Sequence, residues 1–215
     1  MNQPILDKIT QFFSSNSTKK YAKGEILTFA NQDPEGVSFL LDGVVEQYDI
    51  TPEGNKITVN IFKPPAFFPM AWAINKTPNA YFYSALTDVQ LQQASAEKTV
   101  AFLQSNPDVT FDLLSRVYKG TDALLKRLAL AASGVASNRL IFELLIEAYR
   151  FGVKMDDGKC EIKIKQSSLA ARSGLARETV SRELHKLEKK GAISLTKPGI
   201  ILDIAQLESG LDTTV

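Results

Sequence analysis

At 215 residues, the chain is long enough for one large domain or two small ones with proper cores. Its 44% hydrophobic and 23% charged residues are ordinary for a globular protein. A net charge of +1 excludes a uniformly basic nucleic-acid binder, and the single cysteine, Cys160, excludes an internal disulfide or a cysteine-only metal or iron–sulfur site within one chain. No apolar run approaches the roughly 18–20 residues a membrane span needs, and the N-terminus has no signal-peptide pattern. A cytoplasmic protein without membrane contact is expected.

Residues 3–14 read as a short amphipathic helix with Ile5, Leu6, Ile9, Phe12 and Phe13 on one side. From Tyr21 to about Leu91 the pattern changes to short strands separated by turn residues. The expected strands are Glu25–Phe29, Val37–Leu41, Val44–Ile50, Lys56–Phe62, Tyr81–Thr87 and Val89–Gln93. Turn residues such as Asp42-Gly43 and Glu53-Gly54-Asn55 break them. Strands at this spacing imply a sandwich or a jelly roll.

Some jelly rolls are metal enzymes, but the only histidine here is His185, far outside the strands. A barrel without His or Cys is a poor host for zinc, iron or copper. There is no nucleophile elbow, phosphate loop or metalloprotease signature either. No enzymatic activity, metal or cofactor is expected.

Asn106-Pro107-Asp108 starts a helix that runs to about Ala132. Thr110, Leu114, Val117, Thr121, Leu124, Leu128 and Ala131 alternate at spacings of four and three, a heptad seam. A second line, Phe111, Tyr118, Leu125 and Ala132, runs beside it. Two apolar lines suggest two partners: the same helix of a second subunit, and the β domain of its own chain. The alternative is one broad face buried within a monomer. Gly120 marks a site of close packing or a bend. A hinge is expected at Ala132–Ser137, then a helix from Asn138 to about Arg150, capped by Ser133 or Ser137. Phe151–Gly158 reads as a polar turn and Cys160–Ile164 as a short strand, with Cys160 a small apolar strand residue.

Positive charge gathers towards the C-terminus. Residues 1–133 hold 12 Lys/Arg and 13 Asp/Glu, a net of −1, whereas 159–198 hold 10 and 4, a net of +6. A phosphate-contacting surface requires such a concentration. Ser168–Ser173 forms a first short helix, Gly174 a tight turn, and Ala176 to Lys190 a second helix closed by Gly191: a helix-turn-helix. Ala176 is a weak N-cap. Val180, Leu184 and Leu187 share one narrow arc, and Arg177, Glu178, Ser181, Arg182, His185 and Lys189 share another.

Arg177 and Arg182 carry planar forks suited to guanine, and Glu178 can accept from cytosine. These three are the expected base readers on double-stranded DNA. Ser168, Thr179, Ser181, His185, Lys189 and Lys197 are assigned to phosphates or secondary contacts, with a solvated helix residue the competing reading of His185. Ile193–Thr196 and Ile200–Ile204 flank Lys197-Pro198-Gly199 as a hairpin, the wing of a winged helix.

The hexad Arg177-Glu178-Thr179-Val180-Ser181-Arg182 resembles the recognition-helix core of the Crp/Fnr superfamily of bacterial transcription regulators. Tyr21-Ala22-Lys23-Gly24-Glu25 and Leu41-Asp42-Gly43 with Glu53-Gly54 resemble the glycine framework of its cyclic-nucleotide-binding jelly roll. Asn106-Pro107-Asp108 opens a helix resembling its dimerisation helix. The resemblance implies an α+β fold: a jelly-roll sensor-like domain over 1–105, a long dimerisation helix over 106–133 and a winged helix-turn-helix over 134–215. It implies a homodimeric regulator on an inverted repeat with TGTGA-like half-sites, and RNA polymerase as a further partner. Leu114, Val117, Thr121, Leu124, Leu128 and Ala131 would be the dimer seam.

The chain departs from the family at the effector site. Cyclic-AMP-binding members carry a Gly-Glu pair and, further on, an Arg-Ser-Ala or Arg-Thr-Ala segment. Here the first place reads Phe68-Pro69-Met70, and the second falls within Pro78-Asn79-Ala80-Tyr81, without an arginine. Leu124-Leu125 stands where a Thr-Ser pair meets the nucleotide. A cyclic phosphate would meet no paired cation, so gating by cyclic AMP is not expected. Two readings of the remaining residues stay open. Either Phe68, Met70, Trp72, Tyr81, Tyr83, Leu124 and Leu125 fill the old pocket, or they line one for an apolar effector. A constitutive DNA binder and a helix-turn-helix that docks protein are the rival functions.

Overall fold

The computed structural model describes residues 2–155, 157–197 and 199–211. The chain divides into two compact units, 1–119 and 120–215.

The first unit opens with helix α1 (Gln3–Ser14), capped by the Asn2 side chain, which accepts from the Ile5 N–H at 3.1 Å. The strands follow: β1 (Thr18–Tyr21), β2 (Ile26–Thr28), β3 (Val37–Asp42), β4 (Val45–Ile50), β5 (Lys56–Phe62), β6 (Ala66–Phe68), β7 (Phe82–Ala85) and β8 (Val89–Ala94). Helix α2 (Met70–Asn75) lies between β6 and β7, and α3 (Ala96–Ser105) follows β8. Two antiparallel sheets result, ordered β1-β8-β3-β6 and β2-β7-β4-β5. Leu40, Phe68, Val89 and Leu91 of one sheet meet Val45, Tyr83 and Ala85 of the other in a single buried cluster. Apolar side chains at alternate positions thus close two sheets over one core, as strand period and burial require.

Gly43 makes the β3–β4 turn possible. Its φ is +88°, and a Cβ there would stand 2.2 Å from the Asp88 carbonyl oxygen. Only glycine fits that approach. A second cluster, around the fully buried Ile9, Phe13, Val37 and Val109, fastens α1 and the start of α4 (Pro107–Ser133) to the β1-β8-β3-β6 sheet.

The way α4 meets its own unit differs from the expectation. The second apolar line does not pack there: Phe111 is 74% exposed and Tyr118 64%. Val109, Leu113 and Arg116 make the contact instead, spaced four and three apart. The Arg116 guanidinium donates to the Pro65 carbonyl at 3.0 Å, approaches the Phe67 ring to 5.8 Å and pairs with Asp112 at 3.0 Å. Burial pushes this guanidinium below its ordinary range, and Asp112 opposes the shift. Two apolar residues and one paired cation thus make the contact, while both predicted apolar lines stay exposed. Within the single chain, a Cβ at Gly120 would meet open space.

In the second unit, α4 ends near Gly134, at φ +73°, and α5 (Ala136–Phe151) begins. Its N-cap is Val135, without a side-chain bond, and neither Ser133 nor Ser137 caps it. Ser133, the last residue of α4, donates instead to the Leu130 carbonyl of that helix at 2.8 Å. Then come β9 (Val153–Lys154), β10 (Cys160–Ile162), α6 (Gln166–Ser173), α7 (Arg177–Lys189), β11 (Ile193–Leu195), β12 (Ile200–Leu202) and α8 (Ile204–Gly210). The sheet order is β11-β12-β10-β9, all antiparallel. The β11–β12 hairpin matches the expected wing, whose Pro198 lies outside the described residues. The segment read as a polar turn contains β9, while its Asp156 lies outside them.

Candidate nucleic-acid interface

Helix α6 starts at Gln166, two residues before the expected Ser168, and buries Leu169 completely. It ends at Gly174, whose left-handed φ of +62° turns the chain while its N–H bonds back to the Ala170 carbonyl. Leu175 then packs against the core of this unit. Helix α7 begins at Arg177 behind Ala176, which makes no side-chain cap. It closes at Lys190, and the following Gly191 takes φ +76° as the Ala192 N–H reaches the Leu187 carbonyl at 3.1 Å.

The inward face of α7 is Val180, Leu184 and Leu187, all buried. Against them lie Leu140, Leu144, Ile162, Leu169 and Leu202, each fully buried. Glu183 is also buried, at 5% exposure, although nothing in its sequence setting marks it out. Its carboxylate pairs with Lys186 at 2.8 Å and stands 3.6 Å from the Arg182 Nε.

On the outer side a concavity of about 740 Å³ is lined by Gln166, Arg177, Glu178, Ser181, Arg182, His185, Lys186 and Lys189. Thus all three expected base readers lie together with Ser181, His185 and Lys189. Thr179, Ser168 and Lys197 are not among the lining residues. Lys197 is exposed between β11 and β12, and Ser168 and Thr179 are half-buried on their helices. Gln166 and Lys186 are additions. Gln166 escapes sequence reasoning because Lys165, which makes no side-chain cap, gives no sign of the earlier helix start. Lys186 escapes it because it sits at the margin of the charged arc.

The lining carries four permanent cations against the one carboxylate of Glu178. Arg182 keeps 62% of its side chain exposed. The His185 Nδ1 donates to the Ser181 carbonyl at 2.7 Å, which fixes the ring and leaves Nε2 for a partner outside the helix. Such a surface can bind polyanions, and its planar forks and acceptor can discriminate base edges.

Among the described residues, no cluster of three or more His, Cys, Asp or Glu could hold a metal ion. No helix among them is long and apolar enough to cross a membrane.

The suspected effector residues divide between two clusters. Phe68 and Tyr83 stack at 5.3 Å, and Phe62 stands 5.0 Å from Phe68. Tyr81 packs on the same cluster, whereas Met70 and Trp72 pack on the one around Phe13. Burial raises the Tyr83 phenol far above its ordinary range, and neighbouring Tyr81 adds to the shift. Leu124 and Leu125 lie on α4 in the second unit, both exposed.

Two domain families match the chain: a Crp-like helix-turn-helix domain over 138–209 and a cyclic nucleotide-binding domain over 18–106. The global nitrogen regulator of Nostoc sp. is 30% identical over 187 residues, 84% of this chain and 82% of that protein. The transcriptional regulator SdrP of Thermus thermophilus is 29% identical over 156 residues, 72% of each. Among solved structures, a Crp/Fnr-family regulator from Thermus thermophilus superposes with a TM-score of 0.75 at 24% identity, covering 93% of this chain and all of that one. FixK2 of Bradyrhizobium japonicum gives 0.75 at 19% identity, over 93% and 98%. With the helix-turn-helix, its winged sheet and the β-rich unit all in place, the chain belongs to the Crp/Fnr family of DNA-binding transcription regulators.

Proposed function

We propose that the protein is a homodimeric regulator that binds an inverted repeat with TGTGA-like half-sites and is not gated by cyclic AMP. The observation that carries this reading is the joint placement of Arg177, Glu178 and Arg182 in one exposed, cation-rich concavity on α7. Arg177 and Arg182 each pair a guanine through O6 and N7, and Glu178 accepts from a cytosine amino group. Each good bidentate pair supplies roughly 1–3 kcal/mol of discrimination. His185, Lys189, Ser181, Thr179, Ser168 and Lys197 hold the backbone, with Gln166 and Lys186 beside them.

Exposure along α4 supports the dimer. Leu114, Val117, Leu124 and Leu128 are 45%, 54%, 48% and 67% exposed in the single chain, and Thr121 and Ala131 are exposed with them. A row of this length on one helix is what a second copy would cover. The paired helices would set two recognition helices about one DNA turn apart. RNA polymerase is the proposed partner at the promoter.

The β-rich unit favours a filled interior over an apolar effector pocket. Phe68 and Tyr83 are stacked and buried, and Phe62 packs on both. A cyclic phosphate entering there would lose its water against aromatic rings.

Binding-site selection with the purified protein, followed by footprinting, tests the reading. The expected outcome is an inverted repeat whose affinity falls with salt by a log–log slope of about −0.9 per neutralised phosphate. Arg182→Ala should relax discrimination at one position of each half-site. Unchanged discrimination would remove Arg182 from base readout, and a monomer by ultracentrifugation at micromolar concentration would remove the dimer. DNA affinity compared before and after denaturing extraction of small molecules should not change, which separates a filled interior from a carried effector.

A further inference from the structure

We infer that Arg139 is a positioning residue for DNA recognition: from α5, its guanidinium sets the angle at which α7 presents its base-reading end. The inference rests on the proposed assignment of Arg177, Glu178 and Arg182 as readers, and deepens it.

The end of α6 leaves carbonyl groups with no helical partner, as every α-helix does. Gly174 and Leu175 return N–H bonds to the Ala170 carbonyl, and the Ser173 hydroxyl takes the Leu169 carbonyl at 2.7 Å. The carbonyls of Ser173 and Gly174 are both taken by Arg139. Its Nε donates to the Ser173 oxygen at 2.9 Å, and its Nη2 donates to the Gly174 oxygen at 2.8 Å and to the Ser173 oxygen as well. One rigid fork therefore spans two consecutive peptide units of the turn. The cation also sits at the negative end of α6, where positive charge is favoured.

Gly174 matters to this contact twice. It supplies the left-handed φ, and it lacks the Cβ that would stand 2.8 Å from Nη2. On the other side of the turn, α7 has no side-chain cap at Ala176. Side-chain hydrogen bonding thus fixes the turn from the α6 side, while Leu175 anchors it by packing. Arg139 lies in the first turns of α5, five residues beyond Gly134. A rotation of α5 about that break carries the fork, and with it the base-reading end of α7.

A lysine keeps the charge but cannot bridge two carbonyls with fixed geometry. The experiment is binding-site selection with full-length wild type, Arg139→Lys and Arg139→Met. It is paired with affinities for the selected site and for random duplex at one salt concentration, and with thermal melting. Arg139→Met should lower the specific-to-random affinity ratio by about tenfold, as expected when charge-assisted hydrogen bonds that hold a site are lost. Its random-duplex affinity and salt slope should stay as in wild type. Arg139→Lys should melt near wild type yet recover only part of the ratio, showing that geometry and not charge is required. A merely structural role would lower both affinities by the same factor, or leave the ratio intact, and either result overturns the inference. Arg182→Ala in the same assay separates the two layers. If it leaves discrimination unchanged, the reader assignment fails. The positioning role then stands only if the base preferences selected by Arg139→Lys still differ from wild type, and it falls if they match. Should Arg139→Met not fold, that same Lys comparison decides.

Discussion

Replacing Glu147 by Gln should cost more stability than any exposed substitution in the second unit. Glu147 pairs with Arg172, and the two side chains are 7% and 8% exposed. One turn away on α5, Glu143 at 1% exposure takes Arg127 through two bonds of 2.5 and 3.0 Å. Arg150 completes the group. Burial pushes its guanidinium below the ordinary range, Arg172 and Arg127 push it further, and Glu147 and Glu143 offset part of that. Three cations therefore share two buried carboxylates.

Removing one partner of a buried pair costs about 3–5 kcal/mol, because an uncompensated charge stays behind. Glu147→Gln strands Arg172 and also strips Arg150 of support, so it falls at the upper end. Arg172→Met leaves Glu147 facing Arg150 and relieves a like charge, so it falls at the lower end. The double variant Glu147→Leu/Arg172→Met should recover most of the loss, since apolar replacement of both partners is often neutral. The assay is urea unfolding of the full-length protein by far-UV circular dichroism. Fluorescence of Trp72, the only tryptophan and a residue of the first unit, serves as an internal reference. A single-variant loss below about 1 kcal/mol, typical of an exposed ion pair, would refute the reasoning. So would Arg172→Met costing more than Glu147→Gln.

Three further outcomes attach to single positions. Cys160 is buried and its thiol is raised by burial, with Lys154 opposing. Native protein at pH 8 should resist iodoacetamide while urea-unfolded protein reacts; because the folded thiol titrates above the unfolded one, the stabilisation from the buried neutral thiol is full below about pH 8.5 and declines above it. Leu128→Lys alters a residue 67% exposed in the single chain, so it should leave thermal melting of dilute protein within about 0.5 kcal/mol of wild type. It should nevertheless weaken self-association at least tenfold by sedimentation, and an unchanged dimer would move the interface elsewhere. Gly174→Ala forces a side chain into φ +62° and toward Arg139, so it should cost about 1–2 kcal/mol by thermal melting.

The elements legible in the sequence are those with long periodic patterns. The six expected strands and α1, α4 and α5 need only their apolar spacing, and α7 needs its arc of Val180, Leu184 and Leu187. Strand β1, with Lys19 and Lys20 at a sheet edge, alternates no apolar residues, and β6 is three residues after a proline pair. Helix α2 is six residues long, below any periodic signal. Two omissions have readable signals. Ser95 caps α3 by accepting from the Lys98 N–H, and Asp203 caps α8 three residues before Gln206, whose N–H donates to it. The buried charges are out of reach. Glu143 and Glu147 look like solvated helix residues until Arg127 and Arg172 are placed by tertiary contact, and Glu183, paired with Lys186 of its own helix, looks like any exposed i,i+3 pair.

This division explains why α7 reads so clearly in the sequence as the proposed DNA contact. Every structural demand on the helix is met from behind or below. Val180, Leu184 and Leu187 carry its packing, Glu183 neutralises the base of its charged flank, and Arg139 on another element holds the turn before it. Arg177 and Glu178 are exposed, and Arg182, 3.6 Å from the Glu183 carboxylate, keeps 62% of its side chain exposed. A long, costly-to-order cation that packs nothing and pairs only loosely has no reason in stability to sit there. The residues easiest to read as function are those that the fold can spare, and the residues that aim them, Arg139 foremost, are hidden because their partners are backbone carbonyls far away in the chain.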